Sequence, residues 1–272
     1  MKTRRINFNK VITFILFLIL TLTFIFCTYK IILWISDGAK TNKIKEELIK
    51  NVDEKPSIEE NTEIINPPND KKNDYWDYIK MNMLDVNFSK LKKKNKDTIG
   101  WIKLEGTNVN YPVVQGTDNS YYLNHSFDKS YNEAGWIFMD YRNDYETLNK
   151  NTIIYAHARV DGTMFGTLKK VLNEEWHENK SNHIIKFSTI TKNYLWQIFS
   201  VYETKKESYY LTTKFSSDND FNNFINALKE RSIFNFSATP KINDKIITLS
   251  TCKDSKGNRI VVHAILIKME TK

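Results

Sequence analysis

The sequence predicts a mainly β protein: about eight strands closing into an antiparallel barrel, carried behind a single N-terminal membrane span. Three observations predict it. Eight runs rich in Val, Ile, Thr, Tyr, Phe and Trp lie between 98 and 270, and turn residues or glycine bound most of them. Only short helical patterns separate them, and antiparallel barrels close their edges in this way. An uncharged stretch of 19 residues precedes them at 11–29, VITFILFLILTLTFIFCTY.

That stretch continues past Lys30 as IILWI to residue 35, and a helix needs about 20 apolar residues to cross a bilayer. A cleaved signal peptide has a shorter apolar core of about 7–15 residues and a small-residue cleavage site. SDGA, just beyond, is a poor site, so 11–35 reads as an uncleaved anchor. Lys2, Arg4, Arg5 and Lys10 hold residues 1–10 in the cytoplasm as a basic tail, which places the remainder outside the cell. These four residues also supply half of the net charge of +8. No basic stripe interleaved with aromatics follows them, which argues against nucleic acid as a partner.

Residues 36–74 read as an extracellular stalk. TNKIKEELIKNV (41–52) has helical spacing at Ile44, Leu48 and Val52, and 53–74 is polar, lacks aromatics and holds three of the five prolines, which is linker composition. The globular domain is expected over 75–272. It opens with a helix over 75–95 that uses Ile79, Met83 and Phe88. Strands follow at 98–106, 109–116, 135–141 and 151–159. Phe165, Leu168, Val171, Leu172 and Trp176 share one face of a helix over 165–179. Runs 183–190 and 194–204 flank a Thr-Lys-Asn turn and suggest a hairpin. Phe221, Phe224, Ile225 and Leu228 form the apolar face of a helix over 218–232. The last two strands, 244–252 and 259–270, are joined by KDSKGN.

The chain has two cysteines, and Cys27 lies inside the predicted span. Cys252, at the end of TLSTC, is therefore a free thiol in an oxidising compartment, where it risks oxidation. An inert buried cysteine is one reading. The other is a nucleophile, for which a suitable His must be found elsewhere. If the last two strands pair as a hairpin, Arg259 opens the strand after Cys252, and its fixed fork could favour thiolate or hold developing negative charge. A solvated strand-end arginine is the alternative. Of the five histidines, His177 and His183 read as structural or exposed, and His263 as packed on one face of a strand. His125 could be either. His157 ends an apolar strand run in IIYAHAR, where catalytic side chains tend to be displayed. Nothing in the sequence has metal-ligand spacing.

TLSTC followed by a strand opening on Arg resembles the active-site signature of sortases, the cysteine transpeptidases of Gram-positive cell surfaces. WIKLEGTNVNYPVVQGTDNSYYLNHSF, GWIFMDYRND, IIYAHAR and MFGTLKK resemble class B sortases in order and spacing, and so does a helix before the last two strands. The resemblance covers about 75–272. It implies a closed eight-stranded sortase-like barrel with N-terminal helices and a Cys–His–Arg site of Cys252, His157 and Arg259. It also implies substrate contacts at Asn119, Leu123, Tyr155, Ser250 and Thr251, with no cofactor and no metal. The implied reaction cleaves a C-terminal sorting signal similar to Asn-Pro-x-Thr-x after its Thr through a thioacyl-enzyme. An amine of peptidoglycan or its lipid-linked precursor then resolves it, anchoring the client surface protein to the wall. Some relatives have an acidic residue after the cysteine; here it is Lys253. Two readings compete with transpeptidation: a membrane-anchored cysteine endopeptidase that uses water, and an anchored binding module with an inert Cys252.

Overall fold

The computed structural model describes residues 8–205, 207–251 and 257–272. The strands, in chain order, are β1 (Val52–Lys55), β2 (Thr62–Ile64), β3 (Met83–Val86), β4 (Thr98–Leu104), β5 (Asn110–Val114), β6 (Phe138–Met139), β7 (Asn151–Ala156), β8 (Ile184–Thr189), β9 (Lys192–Thr204), β10 (Ile246–Thr251) and β11 (Arg259–Thr271). The helices are α1 (Phe8–Ile49), α2 (Tyr75–Tyr78), α3 (Phe88–Lys94), α4 (Glu174–Glu178) and α5 (Asp218–Glu230).

Eight of these strands form a closed ring in the order β10-β7-β6-β5-β4-β8-β9-β11, and β11 returns to β10. They coincide with the eight apolar runs of the sequence. β11 is long enough to serve three neighbours. It pairs along its length with β9, near its start with β10 (Ser250↔Val261), and near its end with β2 (Lys268↔Ile64). The β7–β10 pairing is parallel, with Ser250 opposite Tyr155 and Thr251 opposite Ala156. Parallel neighbours are buried on both faces and read as continuous apolar runs, and every residue of β7 and β10 is buried. Trp101, Trp136 and Trp196 fill the interior with almost no exposed surface. Each aromatic ring removes about 150–250 Å² from water.

α5 forms as its sequence predicts. The Ser217 hydroxyl caps it by accepting from the Asp220 N–H at 3.1 Å, Asp218 and Asp220 complement its N-terminal dipole, and Phe221, Phe224, Ile225 and Leu228 are its buried side chains. Two predicted helices are broken. Within 75–95, α2 and α3 flank β3, because Met83 and Leu84 are buried as a strand paired to β1, and Asn87 starts a new helix by capping the Lys90 N–H. Within 165–179, Asn173 is extended, with ψ of 139°, and separates a 3-10 turn from α4. Tertiary pairing outweighs helix propensity in both places.

The segment 53–74 carries strand structure despite its linker composition. Glu54 on β1 accepts from Lys103 on β4 at 2.6 Å and from the buried Lys186 on β8. Farther on, the Ile65 N–H donates to the Ile267 carbonyl at 2.9 Å. The Tyr75 hydroxyl bonds both the Ile65 and Ile267 carbonyls, at 2.7 and 3.0 Å. α1 runs unbroken through the predicted span and into the predicted juxtamembrane helix, but it stops at Ile49, and Val52 opens β1 instead of closing the helix. Every residue from 8 to 32 is exposed, whereas Gly38, Thr41 and Leu48 are buried against the barrel.

Candidate active site

β7 and β10 run side by side in the same direction, so both end at one rim of the barrel. His157 follows β7, and Arg259 opens β11 beside it. A cleft of about 380 Å³ at this rim is lined by Asn119, Leu123, Phe138, Tyr155, His157, Leu211 and Arg259. The structure thus brings together five predicted site residues: Asn119, Leu123, Tyr155, His157 and Arg259. Ser250 and Thr251 are not among the lining side chains. Both are buried in β10, where the Ser250 hydroxyl meets the Tyr210 hydroxyl at 3.1 Å and the Thr251 hydroxyl accepts from the Ile260 N–H at 2.8 Å. Cys252, the residue after Thr251, and Lys253 lie outside the described residues.

His157 Nε2 is 2.7 Å from the Leu123 carbonyl. A carbonyl can only accept, so Nε2 carries a proton and the neutral ring keeps its lone pair on Nδ1. Burial pushes the imidazole pKa down. The Leu123 carbonyl opposes this, the Arg159 guanidinium adds to it, and the net shift is downward. His157 is therefore a neutral ring at neutral pH, ready to accept a proton.

Arg259 projects into the cleft with its Nη1 3.4 Å from the Tyr210 hydroxyl. Its Nε is buried with no hydrogen-bond partner among the described residues. An unmade bond at a buried charged donor costs about 1–3 kcal/mol or more. The guanidinium lines the cleft and presents a forked donor to a carbonyl or oxyanion bound there.

A buried carboxylate underlies one wall. Asp140 has no exposed surface and accepts from Arg142 Nε at 2.9 Å and Nη2 at 2.7 Å, from the Tyr155 hydroxyl at 3.0 Å and from Asn119 Nδ2 at 3.0 Å. Burial pushes its pKa up, but the Arg142 guanidinium and backbone N–H with the Tyr155 hydroxyl outweigh that and hold it below the ordinary carboxylate range. Asp140 fixes two of the lining side chains, while Arg142 Nη2 also donates to the Leu211 carbonyl at 3.0 Å and ties down the opposite lip. Asn151 Nδ2 holds the same lip through the Tyr210 and Thr212 carbonyls at 3.0 and 2.9 Å. Sequence reasoning missed Phe138, Asp140, Arg142, Tyr210 and Leu211. Phe138, Asp140 and Arg142 stand inside the quoted GWIFMDYRND run, whereas Tyr210 and Leu211 carry no local signal.

The other histidines serve packing. His263 is fully buried between the Tyr202 and Thr248 hydroxyls, both at 2.9 Å. His177 and His183 stack on one another beside Phe234 and Phe236. His125 stacks on Tyr121 at 4.0 Å. Among the described residues, no group of three or more His, Cys, Asp or Glu side chains could hold a metal ion.

A sortase domain model matches residues 102–267. Sortase B of Staphylococcus aureus (strain NCTC 8325 / PS 47) is 42% identical over 185 residues, which are 67% of this chain and 75% of that protein. Sortase B of Listeria monocytogenes serovar 1/2a is 39% identical over 180 residues, 65% of this chain and 72% of that one. Among solved structures, a Staphylococcus aureus sortase B–substrate complex superposes with a TM-score of 0.62 at 42% identity, covering 66% of this chain and 84% of its own. Sortase B from B. anthracis in complex with AAEK1 gives 0.69 at 33% identity, covering 86% and 99%.

Proposed function

The chain belongs to the sortase family as a sortase B-type cysteine transpeptidase, and from that premise we propose that it cleaves a sorting signal similar to Asn-Pro-x-Thr-x and joins the new Thr carboxyl end to a cell-wall amine. The clients are surface proteins bearing that signal at their C-terminus, and the acceptor is an amine of peptidoglycan or its lipid-linked precursor. α1, which is long and apolar enough to cross a membrane, anchors the enzyme by a single pass. Residues 1–10 lie in the cytoplasm and the barrel lies outside.

The carrying observation is the meeting of His157 and Arg259 in one cleft at the rim where β10 ends toward Cys252. In this reading, the thiol of Cys252 gives its proton to Nδ1 of His157 as sulfur attacks the Thr carbonyl. The Arg259 fork holds the oxyanion. His157 returns the proton to the departing amide nitrogen, leaving a thioester. It then takes a proton from the incoming amine as the amide forms, and the thiol is regenerated. Asn119, Leu123 and Tyr155 wall the signal, with Ser250 and Thr251 supporting the strand beneath.

The test uses the full chain in detergent micelles, because β1 and β2 precede residue 75 and pair with the rest of the fold. A fluorogenic signal peptide is incubated with and without an amine. The expected outcome is cleavage that is lost in Cys252→Ala and diverted to amide product by the amine. Cleavage indifferent to the amine would make the enzyme a hydrolase, and full activity in Cys252→Ala would remove the thiol from the reaction.

A further inference from the structure

Two loops meet at His157, and the C-terminal half of α1 touches both. The first, 157–166, follows β7 and folds back on itself. The Phe165 N–H donates to the His157 carbonyl at 3.0 Å and the Gly162 N–H to the Arg159 carbonyl at 3.2 Å. Arg159 is buried against α1. Its Nη2 donates to the Trp34 carbonyl at 3.2 Å, its guanidinium lies 4.9 Å from the Trp34 ring, and Asp161 accepts from its Nε and Nη2 at 3.0 and 2.7 Å. Gly38, one turn along α1, leaves the room for this pair: a Cβ there would stand 2.5 Å from Asp161 Oδ2 and 3.2 Å from Arg159 Nη2. Two turns farther, the Lys45 ammonium lies 4.4 Å over the Tyr111 ring, and the Tyr111 hydroxyl accepts from the Met164 N–H at 3.1 Å.

The second loop, 118–135, carries Leu123, whose carbonyl orients His157. It contains no ladder, only a 3-10 turn and an isolated bridge between His125 and Tyr131. α1 holds it as well. Asn132 Nδ2 donates to the Asp37 carbonyl at 3.3 Å and the Thr41 hydroxyl at 3.2 Å, and the Glu133 N–H donates to the Asp37 carboxylate at 3.0 Å. Lys40 reaches Asp128 at 3.8 Å and also the Ser130 hydroxyl. Connecting loops are the mobile part of a fold, whereas one helix bonded to both fixes their separation.

We propose that residues 34–45 of α1 act as a splint that holds the two loops at the spacing at which the Leu123 carbonyl orients the His157 ring, making Gly38, Arg159 and Asn132 positioning residues for the reaction. The anchor then does more than tether the barrel: it completes the catalytic geometry. The inference rests on His157 being the proton-transfer group. A misplacement of about 1 Å at such a group can cost about 10²-fold in rate.

The experiment compares wild type, Gly38→Val, Asn132→Ala and His157→Ala as full chains in lipid nanodiscs. Gly38→Val drives bulk against Asp161 and Arg159, and Asn132→Ala removes two bonds to α1 without adding any. For both, the expected result is a kcat lower by about tenfold or more with KM nearly unchanged. The His157 Nε2–H resonance, read by selective ¹⁵N-histidine labelling, should move away from its carbonyl-bonded position. Should Gly38→Val fail to fold, Asn132→Ala carries the same test. Wild-type kcat and an unmoved resonance in Asn132→Ala, with His157→Ala inactive, would overturn the splint and leave the reading of the site intact. An active His157→Ala would overturn that reading and the splint with it.

Discussion

Acid should unfold this protein through its buried histidines before its carboxylates titrate. His263 has no exposed surface, and burial pushes its pKa down to about 3. Burial pushes His183 down to about 4, against the opposing bond to the His177 carbonyl. Unfolded, each titrates near 6.5. Between that value and the folded one, the unfolded chain binds protons that the folded chain refuses, so stability falls as pH falls through the window. From pH 7 to pH 5, each site costs about 2 kcal/mol, or about 4 kcal/mol together. His157 and His177, also lowered by burial, add to this, while Asp244, raised by burial, opposes it. Asp140 and Asp161, held below the carboxylate range, stay charged throughout and contribute no slope. The measurement is urea unfolding in mild detergent at pH 7, 6 and 5, followed by fluorescence of the buried tryptophans. His263→Gln keeps hydrogen-bonding groups for Tyr202 and Thr248 but cannot take up the proton. It should flatten the pH 7-to-5 loss by about 2 kcal/mol, whatever its own stability at pH 7. An unchanged pH dependence in His263→Gln would refute the argument, because it would mean that His263 takes up no proton on unfolding.

Other outcomes follow from the same geometry. Arg259→Lys should lower kcat/KM for amide formation by about 10²-fold, since an ammonium cannot reproduce the planar fork of the guanidinium that lines the cleft; near wild-type turnover would remove Arg259 from the mechanism. Tyr155→Phe deletes a hydroxyl that donates to Asp140, which keeps Arg142 and Asn119 as donors; urea midpoints should show a loss of about 1 kcal/mol. Ser217→Ala removes the cap of α5 and should cost about 1 kcal/mol with activity unchanged, read by the same unfolding assay and by peptide cleavage.

The barrel was legible because its strands are two-sided or nearly so. β7 (NTIIYA) and β10 (IITLST) are rich in β-branched residues, which marks them as strands although they also bury Asn, Thr and Ser. β1 was not legible: Val52–Lys55 is a charged tetrapeptide, and it becomes a strand by pairing with β3 while Glu54 bonds Lys103 and Lys186 across space. Likewise Met83 and Leu84 fit a helical face as well as a strand until β1 supplies the partner. In the site, His157 and Arg259 were visible as strand-end residues with chemistry. The Asp140–Arg142 pair and the Tyr210–Leu211 lip were not, because their importance arises where Arg142 meets the Leu211 carbonyl, far along the chain. Ser250 and Thr251 show the converse: close to the cysteine in sequence, they point into the barrel's fabric.

The parallel register of β7 and β10 also dictates when the cleft comes into being. β8, β9 and α5 stand between these two strands in the chain, so their pairing closes a long loop, and such non-local contacts are slow to form. The ring shuts only when β11, the last strand, lies between β9 and β10. A chain whose final segment has yet to fold has neither β10 beside β7 nor Arg259 beside His157. Under the proposed mechanism, activity is in this sense a report of completion: a chain that lacks β11 has no Arg259 to hold the oxyanion and is silent rather than partly active.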